Sequence, residues 1–154
     1  MSKWTKLDKV KGFVKRYDEN LKIKYDDPIR KKLKDILGDV IIDNPDPYQQ
    51  DFIITNKECA FKYLEVQVCA NWVHTYPYDK LFIYSRKTKY DNDTLFLTVS
   101  KTLKEGYLFR MCDVVKKPRR LKKYSREFVN DIPWSEAMKV YIDYFDEETL
   151  LSIT

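Results

Sequence analysis

The hydrophobic period of this chain changes at Val40, from helical spacing before it to alternation after it, and that change restricts the fold to helices followed by sheet. Before the break, Leu7, Val10, Phe13, Val14, Tyr17 and Leu21 recur at helical spacing among lysines, which predicts a cationic amphipathic helix over residues 5–21. A second helix is predicted over 28–37. Asp26 or Asp27 can cap it, Pro28 suits its first turn, Ile29, Leu33, Ile36 and Leu37 line one face, and Gly38 can end it.

After the break, 40–42 and 50–55 read as short strands around the breaker Asn44-Pro45-Asp46-Pro47. Residues 63–70 form the clearest strand, with Leu64, Val66, Val68 and Ala70 on the core face and Tyr63, Glu65, Gln67 and Cys69 on the other. Two hairpins are expected next. One joins 80–90 to 94–101 through Asp91-Asn92-Asp93, and the other turns at Lys104-Glu105-Gly106 into 107–115. The cationic stretch that follows is expected as a loop or short helix, and a terminal helix over 134–144 restarts at Asp146 for 147–152. The result is an α+β fold, a mainly antiparallel meander with two N-terminal helices and a C-terminal helix. At 154 residues and 44% hydrophobic content, the chain fits one domain with a real core.

Charge narrows the partners. The run Lys116-Lys117-Pro118-Arg119-Arg120-Leu121-Lys122-Lys123-Tyr124-Ser125-Arg126 places seven cations in eleven positions without an acid, a density that repels itself unless an anion answers it. From Glu127 onward seven acids face Lys139 alone, a net of −6, which leaves +11 on residues 1–126. A basic body can meet phosphate while the acidic terminal segment folds against it or competes for the same patch. The expected phosphate contacts are Lys116, Lys117, Arg119, Arg120, Lys122, Lys123 and Arg126, assisted by Lys87; Pro118 stiffens the paired guanidinium forks. The leading expectation is therefore a non-catalytic protein that binds DNA or RNA through sequence-independent contacts, without a cofactor.

Other classes are excluded or ranked lower. No stretch reaches the roughly 18 to 20 apolar residues of a membrane span, and the opening residues lack a signal-peptide core, so an intracellular, non-secreted chain with no membrane partner is expected. Cys59, Cys69 and Cys112 form no Cys-x-x-Cys pair and His74 stands alone, which leaves no tetrahedral zinc set. Gly12, Gly38 and Gly106 are isolated and make no phosphate-cradling loop. Fifteen per cent aromatic content exceeds what a core of this size consumes, making Trp72, Tyr76, Tyr78 and Trp134 candidates for a homodimer or partner surface.

One constellation points to catalysis instead. Metal-dependent nucleases hold Mg²⁺ between two carboxylates on adjacent strands, with a third polar group two residues beyond the second acid and on the same strand face. Asp51, Glu65 and Gln67 meet that spacing, with Asp51 and Glu65 as the metal ligands. The pattern resembles the PD-(D/E)XK nuclease signature, with Pro45-Asp46 or Gln50-Asp51 as its first half and Glu65-x-Gln67 in place of Glu-x-Lys. The resemblance implies a Mg²⁺-dependent nuclease, for which Lys87 could supply the missing ammonium from a neighbouring strand. Two features depart from it: Gln67 replaces the lysine, and the nine residues 71–79, with Pro77, are too short for the helix that normally follows the motif strand.

A second likeness covers roughly residues 63–134. Phe82-Ile83-Tyr84-Ser85-Arg86-Lys87-Thr88-Lys89-Tyr90, then Asp93-Thr94-Leu95-Phe96, and Pro118 to Phe128 through Ile132-Pro133-Trp134 resemble uncharacterised proteins of large DNA viruses that infect amoebae. That likeness implies a viral setting, in host cytoplasm, nucleus or virion, and carries no active site with it. Usage biased to lysine, 22 against 7 arginines, is compatible with an AT-rich viral genome.

Overall fold

The computed structural model describes residues 22–122 and 126–154; the helix expected over 5–21 and the side chain of Lys123 lie outside the described residues. The second expected helix is α1, Asp27–Leu37, which buries Ile29, Leu33 and Leu37 on one stripe and begins with Pro28 in its first turn. Asp26 does not cap it. The backbone there is already helical, continuing from a π-helical turn at Lys22–Asp26, so the Asp26 carboxylate makes no cap hydrogen bond. At the other end Gly38 takes φ +59 and donates its N–H to the Lys34 carbonyl, a conformation that favours glycine.

Nine strands follow: β1 (Ile41–Asp43), β2 (Phe52–Ile54), β3 (Tyr63–Cys69), β4 (Leu81–Tyr84), β5 (Thr94–Ser100), β6 (Glu105–Arg110), β7 (Arg119–Arg120), β8 (Phe128–Ile132) and β9 (Met138–Tyr141) among the described residues. Six of them form one sheet in the order β1-β2-β3-β5-β6-β9, and three form another in the order β4-β8-β7. All pairings are antiparallel except β3 with β5. A short helix α2, Glu147–Leu151, closes the chain, capped by the Asp146 carboxylate on the Thr149 N–H. The fold is α+β and mainly antiparallel.

Two expectations fail where long-range strand pairing intervenes. Every residue of β5 is buried, so it needs a partner on both edges and cover on both faces. The expected partner, 80–90, ends in the charged 3₁₀ turn Ser85–Lys89 and cannot fill that role; β3 takes the edge in parallel, with Leu64 opposite Leu95 and Glu65 opposite Phe96. β4 pairs instead with β8, Leu81 opposite Ile132. The helix expected over 134–144 is also absent. Trp134–Glu136 is a single 3₁₀ turn, and Met138–Tyr141 adds an edge strand to β6, where Gly106 stands opposite Val140. Cross-strand pairing outweighs a weak helical pattern there. Among its described residues the cationic stretch is loop, as expected, except for the two-residue strand β7.

Two apolar layers result. Ile29 and Leu33 of α1, with Ile142, Phe145 and Leu150 from the C-terminal segment, pack on Leu64, Val66, Leu97, Val99 and Leu108 on one face of the large sheet. On its other face Phe96 and Phe109, stacked at 5.5 Å, pack against Leu81, Ile83 and Ile132 of the small sheet. The small sheet therefore stands over the face of β3 that carries Glu65 and Gln67, and a cleft forms between them.

Candidate active site

Alternation along β3 turns Leu64 and Val66 into the α1 layer and sends Glu65, Gln67 and Cys69 to the opposite side, where they line a cleft of about 530 Å³. β4 builds the facing wall by the same logic: Leu81 and Ile83 enter the core, while Phe82 and Tyr84 line the cleft. Asp51, immediately before β2, and Asp26, immediately before α1, enter from the side.

Asp51 and Glu65 are locked together through the backbone. The Asp51 N–H donates to Glu65 Oε1 at 3.0 Å, and the Val66 N–H donates to Asp51 Oδ2 at 2.9 Å. Lys87, from the 3₁₀ turn after β4, brings its Nζ to 2.9 Å from Glu65 Oε2. Arg30 of α1 places Nη2 at 2.6 Å from Asp51 Oδ1, reaches Asp43 with Nη1 at 3.1 Å, and lies over the Phe52 ring. Each of the four carboxylate oxygens thus has one protein donor and retains a second lone pair. Asp46, the other candidate for the first acid, is not part of this group; it accepts the Tyr48 N–H within its own turn.

Burial dominates the electrostatics. Desolvation pushes the Glu65 carboxyl up to about 7, with the Asp51 charge adding to the rise and Lys87 opposing it. Asp26 is raised for the same first reason, helped by Asp51 and opposed by Arg30. Burial and the charges of Glu65 and Asp51 also raise the Tyr90 phenol, which places that ring beside the same group. The ionisable groups lining the cleft are Asp26, Asp51, Glu65 and Glu127 with Arg86 and Lys87.

Gln67 lies on the same strand face. Its Nε2 donates to Thr98 Oγ1 at 2.8 Å and to the Phe82 carbonyl at 3.3 Å, and its buried Oε1 has no partner. The amide orientation follows from Phe82, whose carbonyl requires a donor.

The chemistry of the donor set fits a divalent cation. Mg²⁺ is typically held by one or two carboxylates, with water and substrate phosphate completing its octahedron, and Asp51 with Glu65 provides that pair. Among the described residues no three His, Cys, Asp or Glu side chains form a ready-made cage.

The expected cationic surface is only partly available to an outside anion. Arg119 Nε lies 2.9 Å from both Asp131 oxygens, so the acidic terminal segment answers one of the two paired arginines. Arg120 lies over the Phe128 ring. Lys116, Lys117, Lys122 and Arg126 are exposed. β7 is two strands from the cleft wall β4, about 10 Å at ordinary strand spacing.

The four aromatics expected to seek an interface pack largely on one another. Trp72 stacks on Tyr107 at 5.3 Å, and Tyr76 meets Trp72, Tyr78 and Trp134 edge to face. Cys69 lines the cleft, whereas His74 is exposed and lines a separate recess. Among the described residues no helix is long and apolar enough to cross a membrane.

Arg30 and Asp26 went unrecognised as site residues in the sequence. Asp26 read as a cap, and nothing local marks Arg30, whose partner lies twenty-one residues away. No protein-family model, curated protein or solved structure matches the chain.

Proposed function

We propose that this chain is a metal-dependent nuclease that hydrolyses phosphodiester bonds in the cleft between β3 and β4. The observation that carries this reading is the buried pair Asp51–Glu65, fixed by reciprocal backbone hydrogen bonds, with the Lys87 ammonium on its outer oxygen. A non-catalytic binding surface has no need of a carboxyl held against desolvation inside a cleft.

Asp51 and Glu65 would hold Mg²⁺ or Mn²⁺. When bound, the cation supplies Lewis acidity and lowers the pKa of water at neutral pH. Lys87, tethered to Glu65, offers its remaining N–H donors to a phosphate oxygen in the role that the third residue of the nuclease signature plays. Arg30 and the Val66 N–H hold the Asp51 carboxylate in a single orientation. Gln67 is committed to Thr98 and Phe82 through its amide nitrogen and its amide oxygen is buried, so it braces the cleft wall and carries no charge to phosphate. Lys116, Lys117, Lys122 and Arg126 are exposed around β7, two strands from the cleft wall β4, and would act as phosphate contacts outside the cleft, which retains the basic segment as a binding element of the same enzyme.

The test is cleavage of single- and double-stranded DNA and RNA with Mg²⁺ or Mn²⁺. Activity that falls at least about 100-fold in both Asp51→Asn and Glu65→Gln, with nucleic-acid binding retained, is expected. Intact substrates under all these conditions, with binding still present, would return the chain to the non-catalytic reading.

A further inference from the structure

The cleft changes character along its length. At the Glu65 end it is charged, with Asp26, Asp51 and Lys87; towards Cys69, four residues or about 13 Å further along β3, its wall is aromatic. Tyr78 meets Phe82 edge to face at 5.2 Å, and Phe82 meets Tyr84 at 6.0 Å, so the buried Phe82 ring braces the two tyrosines that line the cleft. The guanidinium of Arg86 lies 4.7 Å over the Tyr84 ring at the end that leads to Lys87. Tyr78 and Tyr84 are each only half-buried and both line the cleft. Between the two ends stands Gln67, held to Thr98 Oγ1 and the Phe82 carbonyl through its amide nitrogen.

We infer that the aromatic end is a nucleobase subsite, and that the substrate is single-stranded or locally unpaired nucleic acid. The inference rests on the phosphodiester reading of the acidic end and gives it a substrate class. A nucleotide divides as the cleft does, with a phosphate for the charged end where Lys87 stands and a flat, polarizable base for the aromatic end. Aromatic walls take a base by stacking irrespective of its sequence, and an arginine on one ring adds a cation over the π-face. Volume points the same way: about 530 Å³ suits a small ligand of one or two nucleotides, and a base inside a duplex has to leave its stack to enter.

The experiment measures binding without turnover. A labelled oligothymidylate and an abasic oligonucleotide of equal length and charge are titrated onto the chain in EDTA. The thymidylate is expected to bind roughly 5- to 100-fold more tightly, the effect of one stacked base. Tyr78→Ala and Tyr84→Ala should each erode that ratio while leaving abasic affinity unchanged, and Tyr78→Phe and Tyr84→Phe should preserve it, which also controls for folding. Equal affinity of the two oligonucleotides for the unaltered chain overturns the inference, as does a ratio unmoved by both alanine variants. Cleavage without base discrimination removes the subsite and leaves the nuclease; base discrimination without cleavage keeps the subsite and removes the nuclease.

Discussion

Replacing Lys87 by methionine isolates the electrostatic design of the cleft. The Lys87 and Glu65 side chains are 16% and 7% exposed, and deleting one member of such a pair typically costs about 3–5 kcal/mol when the other must stay charged. Glu65 can escape that cost by taking a proton. Its folded pKa is raised from 4.5 to about 7, so the unfolded chain releases the proton first, and stability conferred by the protonated carboxyl declines as pH rises through that window. Without Lys87 the folded value climbs further and the decline continues above 7. Urea denaturation followed by far-UV circular dichroism should therefore give a loss of about 1 kcal/mol near pH 5.5, from the buried lysine stem, and about 3 kcal/mol near pH 8.5. Mn²⁺ should recover much of the loss at the higher pH, adding about 2.7 kcal/mol at a hundred times its dissociation constant. Equal losses at the two pH values would show that the Glu65–Lys87 charge interaction does not govern this site.

Three further variants separate stability from binding. Arg119→Ala should destabilise the fold by roughly 1.5 kcal/mol in the same urea assay, because Asp131 loses its two 2.9 Å hydrogen bonds. Lys116→Glu with Lys117→Glu should leave stability within about 0.5 kcal/mol but lower the log-log salt slope for single-strand binding by at least about 1.4, the share of two phosphate contacts. Gly106→Ala should cost about 1–3 kcal/mol, since an added Cβ would stand 2.7 Å from the Thr98 carbonyl oxygen on the neighbouring strand.

What the sequence disclosed follows from the range of the forces involved. α1 was legible because its stop glycine, its first-turn proline and its apolar stripe are all local, and β3 because strict alternation survives any choice of partner. The spacing of Asp51 and Glu65 was legible too, as two adjacent antiparallel strands bring their acids together through a short connection. The small sheet was not. Pairing β4 with β8 joins Leu81 to Ile132 across some fifty residues, and no local signal distinguishes that choice from a hairpin with β5. Lys87 was named as an ammonium donor from a strand, but it reaches Glu65 from a 3₁₀ turn, a placement that depends on the same long-range pairing. The basic run suggested a uniform cationic patch because charge counting is blind to geometry; the fold spends Arg119 on Asp131.

Crystals soaked in Mn²⁺ and measured for anomalous scattering give the most direct test of the paired acids. A peak about 2 Å from oxygens of both Asp51 and Glu65, with the Lys87 ammonium beside it, is expected. A cleft without anomalous density at saturating Mn²⁺, or a peak confined to surface carboxylates, contradicts it.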